Sequence, residues 1–137
     1  MDGVTLMVKP IIFTNGCFDI IHIGHVQLLE FCASLGTVVV GLNSDASVKR
    51  LKGSSRPINN ENDRLSLLLA IKYVDEVVIF EEDTPYELIK SLKPNIIVKG
   101  GDYEAQDVVG SDLAEVRLFP YQKGHSTTEI LRSLPNI

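Results

Sequence analysis

At 137 residues, 45% of them apolar, the chain is long enough for one domain with a real core and too apolar for disorder. Its formal charge of −5 argues against a general nucleic-acid binder, which would carry a basic surface. No apolar run approaches the roughly 20 residues of a membrane span, the start lacks a secretory leader, and two cysteines make no disulfide framework, so a cytoplasmic protein without a membrane partner is expected.

In chain order, Ile11–Thr14 reads as the first strand. A loop, Asn15-Gly16-Cys17-Phe18-Asp19, leads to His22-Ile23-Gly24-His25, and Val26–Leu35 then carries apolar residues at helical spacing up to Gly36. Strand, glycine loop and helix start form a setting for anions, because a helix N-terminus offers unpaired N–H groups and about half a positive charge. Two imidazoles three positions apart share one side of a helical turn, with roughly 5–6 Å between Cβ atoms. Gly24 lets a ligand approach the backbone between them. An isolated histidine at a helix start is ordinarily a cap or surface residue; the pair, the glycine and the context point instead to phosphate binding. Cys17, with no adjacent base, reads as a small loop filler.

A second strand, Thr37–Leu42, is followed by Asn43-Ser44-Asp45 and a helix over Asp45–Leu51. Lys49, Arg50, Lys52 and Arg56 form a basic cluster on an acidic background, suited to one small anionic ligand, although each alone also reads as a solvated helix end. The helix predicted over Asn62–Tyr73 contains Arg64, which either reaches the site or pairs with Asp63 or Glu61 on the surface. Glu76–Phe80 is the third strand. A helix follows over Pro85–Leu92, with Thr84 as N-cap, Pro85 at the first position, Glu87 completing a capping box, and Pro94 beyond it. The fourth strand, Asn95–Lys99, delivers Lys99 beside Gly100 and Gly101, with Asp102 placed to accept from ribose hydroxyls. Val116–Phe119 is the fifth strand. Gly124–Thr128 is a second candidate phosphate loop, bearing Ser126, Thr127 and Thr128 and opening a helix over Thr128–Leu134; Ser126 or Thr127 also suits an ordinary N-cap.

This alternation predicts an α/β protein: a doubly wound parallel five-stranded sheet in a single domain, residues 1–137 with its core at 11–134. Ligands of such sheets bind at the carboxyl ends of the strands, and every candidate residue falls on that rim. Neither a Walker A loop nor GxGxxG is present, nor Cys/His metal spacing, nor a serine with a His–acid pair. The rim supplies donors and cations, the inventory for transfer at phosphorus, where catalysis is mostly positioning and charge stabilisation.

These motifs resemble the cytidylyltransferase-like nucleotidyltransferases, marked by HxGH after the first strand and a late Ser-Thr-Thr loop. The segments Thr14–Asp19, Asn43–Gly53, Arg56–Asn59, Phe80–Pro85 and Val98–Tyr103 are similar to the adenylyltransferases of ADP-heptose biosynthesis, and the likeness runs from Ile11 to Leu134. It implies a Rossmann-like nucleotidyltransferase fold and attack by the phosphate of D-glycero-D-manno-heptose 1-phosphate on the α-phosphorus of ATP, giving ADP-heptose and pyrophosphate. By the same resemblance His22 and His25 stabilise the transition state. Thr14, the Asn15, Gly16, Phe18 and Gly24 loop and the Ser126–Thr128 loop hold the nucleotide phosphates. Lys49 and Lys52 grip the sugar phosphate or the pyrophosphate, and Lys99, Gly100 and Asp102 line the nucleoside pocket. A lysine about 4 Å from a phosphate oxygen contributes on the order of 4 kcal/mol at an effective dielectric of 20, before desolvation.

Mg²⁺ is implied as cofactor, held mainly by the ATP phosphates with no protein metal ligand named. A separate sugar kinase supplying the sugar 1-phosphate is expected, since the family's frequent fused kinase has no room here, and a homodimer is a weaker expectation. His125 stands where an apolar residue or cysteine is expected before Ser-Thr-Thr. The rival within the family is a glycerol-3-phosphate cytidylyltransferase using CTP. Class I aminoacyl-tRNA synthetases share the four-residue signature but need a far longer chain and a lysine-rich second loop.

Overall fold

A computed structural model describes residues 8–120. Five strands form one parallel sheet: β1 (Ile11–Gly16), β2 (Thr37–Asn43), β3 (Glu76–Phe80), β4 (Ile96–Gly100) and β5 (Glu115–Phe119), in the spatial order β3-β2-β1-β4-β5. The order reverses between β1 and β4, so their carboxyl ends flank the crevice where a doubly wound sheet binds ligands. Helices α1 (Ile23–Leu35), α2 (Asp45–Lys52), α3 (Glu61–Leu69) and α4 (Tyr86–Leu92) complete the described elements, with a single 3-10 turn at Ala105–Asp107. The second phosphate loop and the helix expected over Thr128–Leu134 lie outside the described residues, as do Ser126, Thr127 and Thr128.

Strand parity divides the core. Ile12, Val38, Val40, Leu42, Ile96 and Val98 point to one face and pack with Leu28, Leu29 and Cys32 of α1 and Leu68 of α3. Phe13, Val39 and Ile97, one residue out of step, point to the other face and meet Ile89 of α4 and Val108. Both faces of the inner strands are covered, which is why these runs show no polar alternation. Gly41 leaves room for the Phe13 ring: a Cβ there would lie 2.7 Å from Phe13 Cζ. Edge strand β5 is the exception, exposing Glu115, Arg117 and Leu118.

Four expectations are corrected. Helix α1 opens three residues earlier than Val26, because His22 itself is the N-cap and imidazole nitrogens take the place of the usual hydroxyl or carboxylate acceptors. Helix α3 stops at Leu69 rather than Tyr73. Beyond it the chain tightens into i→i+3 turns, Ile71 N to Leu68 O and Val74 N to Ile71 O, while Ile71, Tyr73 and Val74 still pack on the core. Apolar spacing there reports burial, not helix. Helix α4 has no capping box: Pro85 occupies the N-cap without a side-chain bond, Thr84 Oγ1 lies 3.5 Å from Tyr86 N, and the buried Pro85 ring is part of a cavity wall. Strand β1 also runs two residues past Thr14, carrying Asn15 and Gly16 to the rim.

Gly36 ends α1 and lets the chain turn back beside β1, where Thr37 N donates to Pro10 O; a Cβ at 36 would sit 2.2 Å from that same oxygen. Gly36→Ala is therefore expected to lower stability by about 1–3 kcal/mol, read as a shifted denaturant midpoint with unchanged slope. An unshifted midpoint would show that the β1–β2 edge relaxes freely.

Candidate active site

A cavity of about 420 Å³ opens at the carboxyl ends of the strands. Asn15 to Asp19 of the loop after β1 form its floor, with His25 of α1, Asn43 at the end of β2, Leu51, Lys52 and Arg56 from α2 and beyond, Asp83 to Pro85 after β3, and Lys99, Tyr103 and Asp107 to Val109 from and after β4. Following the sheet order, the β3–β2 end presents Asn43, Asp83 and Thr84, and the β4 end presents Tyr103, Val108 and Val109. Cationic Lys52, Arg56 and Lys99 add positive charge to the walls.

Of the residues expected from sequence, the cavity gathers Asn15, Gly16, Phe18, His25, Lys52 and Lys99. Thr14 is buried within β1, Gly24 is buried in the first turn of α1, and His22 stands behind His25 as its cap partner. Lys49 and Asp102 are exposed and lie outside the lining, and the half-buried Gly100 lies outside it too.

The histidine pair serves the backbone with one edge of each ring. Gly24 N donates to His22 Nδ1 at 3.1 Å, and His22 N donates to His25 Nδ1 at 3.3 Å, a reciprocal capping box. The rings stack with centroids 3.8 Å apart. A nitrogen accepting from an amide has no proton, so each neutral ring carries its proton on Nε2. Burial, and then the charge of neighbouring His22, drives the His25 pKa down to about 3. His25 is thus a neutral N–H donor through the physiological range. The capping role of a helix-start histidine is thus filled by the Nδ1 edge of each ring.

Beneath the cavity lies a fully buried cation that spacing alone left ambiguous. Arg64 neither lines the cavity nor pairs with Asp63 or Glu61. Its Nε donates to Asn59 O (2.9 Å), Nη1 to Cys17 O (2.8 Å) and Asn43 O (2.7 Å), and Nη2 to Asp45 Oδ1 (2.7 Å). One guanidinium therefore ties the β1 loop, the end of β2 and the start of α3 together. Asp19 makes a second knot. Its buried carboxylate accepts from Ile58 N, Asn59 N and Arg56 Nε at 2.7–2.9 Å, while Asn59 Nδ2 returns a bond to Asp19 O. Burial alone would raise the Asp19 pKa; the Asn59 and Ile58 amides and the Arg56 guanidinium outweigh it and hold the group below its ordinary value.

Between these anchors Phe18 adopts φ 47°, a left-handed conformation that costs an aromatic residue about 1–3 kcal/mol. Its ring is held in the core and lies 4.9 Å from the His25 ring. Gly16 makes room for it, since a Cβ there would be 3.1 Å from Phe18 Cε2.

Lys99 is half-buried with Nζ 5.0 Å from the Tyr103 ring centroid, and burial, against the influence of Cys17 and together with nearby Lys52, lowers its pKa. A cation so placed favours an anionic ligand. Arg50 bonds Asp83 Oδ1 at 2.9 Å and the Glu81 carbonyl, fixing the last turn of α2 that carries Lys52. Burial raises the Cys17 thiol despite Lys52 and Arg64, in keeping with a filler rather than a nucleophile. Asp19, Asn43 and Tyr103 are contributors not singled out from the sequence, which leaves Arg64 open between the site and the surface. A lone acidic residue in an otherwise apolar loop, and an arginine inside an apolar helix, were the available signals.

A family model described as cytidylyltransferase-like matches residues 13–132. Bifunctional protein HldE of a Nitratiruptor species is 62% identical over 128 residues, 92% of this chain and 28% of that protein. Bifunctional protein HldE of Aliarcobacter butzleri is 58% identical over 92% of this chain and 27% of its own length. The chain thus spans little more than a quarter of the curated relatives it matches. Among solved structures, the lipopolysaccharide core biosynthesis protein from Thermoplasma volcanium aligns with a TM-score of 0.68 at 29% identity, covering 83% of this chain and 97% of that one.

Two measurements check the site's electrostatics. Because the folded Asp19 pKa lies below the ordinary 3.8, its stabilisation is present above that value and lost as pH falls through the folded pKa. The stability gap between wild type and Asp19→Asn is expected to persist at pH 7 and narrow below about pH 4; a gap independent of pH would deny the carboxylate its role. For His25, NMR should show a neutral Nε2–H ring from pH 8 down to about pH 4, whereas a titration midpoint near 6.5 would contradict the capping geometry.

Proposed function

The chain belongs to the cytidylyltransferase-like family, and on that footing we propose that it transfers an adenylyl group from ATP to D-glycero-D-manno-heptose 1-phosphate, releasing pyrophosphate and forming ADP-heptose. The observation that carries the reading is the pairing of an Nε2–H imidazole donor with cationic Lys52 and Lys99 in one cavity at the topological switch point. The choice of heptose draws on the relatives named HldE and on the motif segments they share with the adenylyltransferases. The name of the Thermoplasma protein supports a product destined for surface-glycan assembly.

An oxygen of the sugar phosphate attacks the α-phosphorus of ATP, and the bond from that phosphorus to the β-bridging oxygen breaks as pyrophosphate leaves. A sugar phosphate with a second pKa near 6, like other phosphate monoesters, is already ionised at neutral pH, so no general base is required. Negative charge grows on the non-bridging oxygens in the transition state. His25, neutral and unable to deliver a full charge, serves as an oriented hydrogen-bond donor to them, with His22 locking its ring through the capping box. Lys52 holds the incoming phosphate or the departing pyrophosphate, and Lys99 a nucleotide phosphate. The β4 end, with Tyr103 and Val108, receives the nucleoside.

No group of three or more His, Cys, Asp or Glu among the described residues could hold a metal ion. Mg²⁺ would be carried mainly by the triphosphate oxygens and would neutralise phosphate charge there. Thr14 and the Ser126–Thr128 loop remain assigned to the nucleotide phosphates on the motif alone. A sugar-phosphorylating enzyme must supply the substrate, and the reaction belongs in the cytoplasm, where ATP is made; among the described residues no helix is long and apolar enough to cross a membrane.

Four nucleoside triphosphates assayed against heptose 1-phosphate, other sugar 1-phosphates and glycerol 3-phosphate test this directly. Pyrophosphate release is expected with ATP and heptose 1-phosphate; release only with CTP and glycerol 3-phosphate would overturn the assignment. His25→Ala should lower kcat by about 10²–10³-fold with a smaller change in KM for ATP, and unchanged turnover would remove the imidazole from the mechanism.

A further inference from the structure

Asn43 is 4% exposed and borders the cavity at its β3–β2 end. Its carboxamide has a fixed direction. Nδ2 donates to Ser47 Oγ at 3.0 Å, and that hydroxyl commits its own proton to Glu82 O at 2.9 Å. Turning the amide over would set Oδ1 against an oxygen with no proton left to give. The same residue's carbonyl is held by Arg64, so the backbone is fixed as well. Oδ1 is left without a hydrogen-bond partner among the described residues, although a buried acceptor left unmet is costly and rare in a folded protein.

We infer that Asn43 Oδ1 accepts a hydrogen bond from a hydroxyl of the sugar phosphate and so selects a polyhydroxylated acceptor. In the open cavity water can serve this acceptor until a ligand displaces it. The displacing group then has to donate in its place, and phosphate groups ionised at neutral pH have no donor to offer. The nucleoside has donors, but the opposite end, with Tyr103, Val108 and Val109, supplies the apolar and aromatic surface that a base stacks on. The Asn43 end instead adds Thr84 and Asp83, acceptors suited to a polyol, beside Lys52 for its phosphate. Ser47, fully buried beneath, is the positioning residue. The identity of the sugar rests on the proposed reaction; the hydroxyl-accepting role of Asn43 rests on this geometry.

The test measures binding of heptose 1-phosphate and its single-deoxy analogues by calorimetry, with a non-hydrolysable ATP analogue present, for wild type, Asn43→Ala and Ser47→Ala, alongside pyrophosphate release with ATP. Asn43→Ala should bind the sugar phosphate about tenfold more weakly, with affinity for the ATP analogue within about twofold. Loss of one particular hydroxyl should cost wild type that same tenfold and cost Asn43→Ala nothing. Ser47→Ala, which frees the carboxamide to rotate, should lose part of the same discrimination, and it decides the matter if Asn43→Ala does not fold. Equal deoxy penalties in wild type and variants, or an equal loss of ATP-analogue affinity, would overturn the assignment. Asn43-dependent sugar binding without pyrophosphate release would sink the proposed reaction and leave the hydroxyl site standing; release without Asn43 dependence would do the reverse.

Discussion

The buried guanidinium of Arg64 is the constraint on which the cavity depends. Three segments far apart in sequence end at the same rim: the loop after β1, the last residue of β2 and the lead into α3. Each brings a carbonyl to this one side chain. A charge withdrawn from water is expensive unless its hydrogen-bonding capacity is met. Here three carbonyls and the Asp45 carboxylate meet it with four hydrogen bonds. Removing the guanidinium would leave three carbonyls converging on nothing, so the floor has one arrangement and not several.

That rigidity explains features that look unfavourable one at a time. Phe18 keeps a left-handed backbone because Cys17 and Asp19 on either side are pinned, one by Arg64 and the other by the amides of residues 58 and 59. The strained residue in turn puts its ring against His25. The imidazole is then oriented three ways: by the Phe18 contact, by stacking on His22, and by the amide hydrogen bond to its Nδ1. A donor fixed before the ligand arrives needs no reorganisation as charge builds on the reacting phosphate, and this is where electrostatic catalysis gains most. The lysines stand apart from this frame. Lys52 lies on an exposed helix end and Lys99 on a strand end, so in the proposed reaction they would attract and neutralise phosphate charge while the imidazole would aim.

Much of this was legible in the chain. Unbroken Val/Ile runs separated by helical stretches specify a parallel sheet covered on both faces, and the strands lie within two residues of their predicted limits. The His-x-Gly-His stretch, Lys52 and Lys99 declare themselves because imidazoles and cations at strand ends are chemically conspicuous. What stayed hidden was of one kind: contacts between segments distant in sequence. Nothing local to Arg64 announces the carbonyls of residues 17 and 43, and Asp19 looks like a loop acid until the backbone of residues 58 and 59 is folded over it. The apolar stripe running on past Leu69 and the Thr84-Pro85 pair misled for a related reason, since tertiary packing uses those side chains without needing a helix turn or a cap. Asp102, conspicuous beside two glycines, is exposed, and its neighbour Tyr103 faces the cavity instead.

A crystal structure with a non-hydrolysable ATP analogue and Mg²⁺ tests the central claim most directly, namely that a pre-set donor cavity scaffolded by Arg64 holds the triphosphate. The account predicts a non-bridging α-phosphate oxygen within hydrogen-bond distance of His25 Nε2, Lys99 on the phosphate chain, and the carbonyls of Cys17, Asn43 and Asn59 still seated on Arg64. A triphosphate bound away from His25, or one whose binding pulls those carbonyls off the guanidinium, would contradict it.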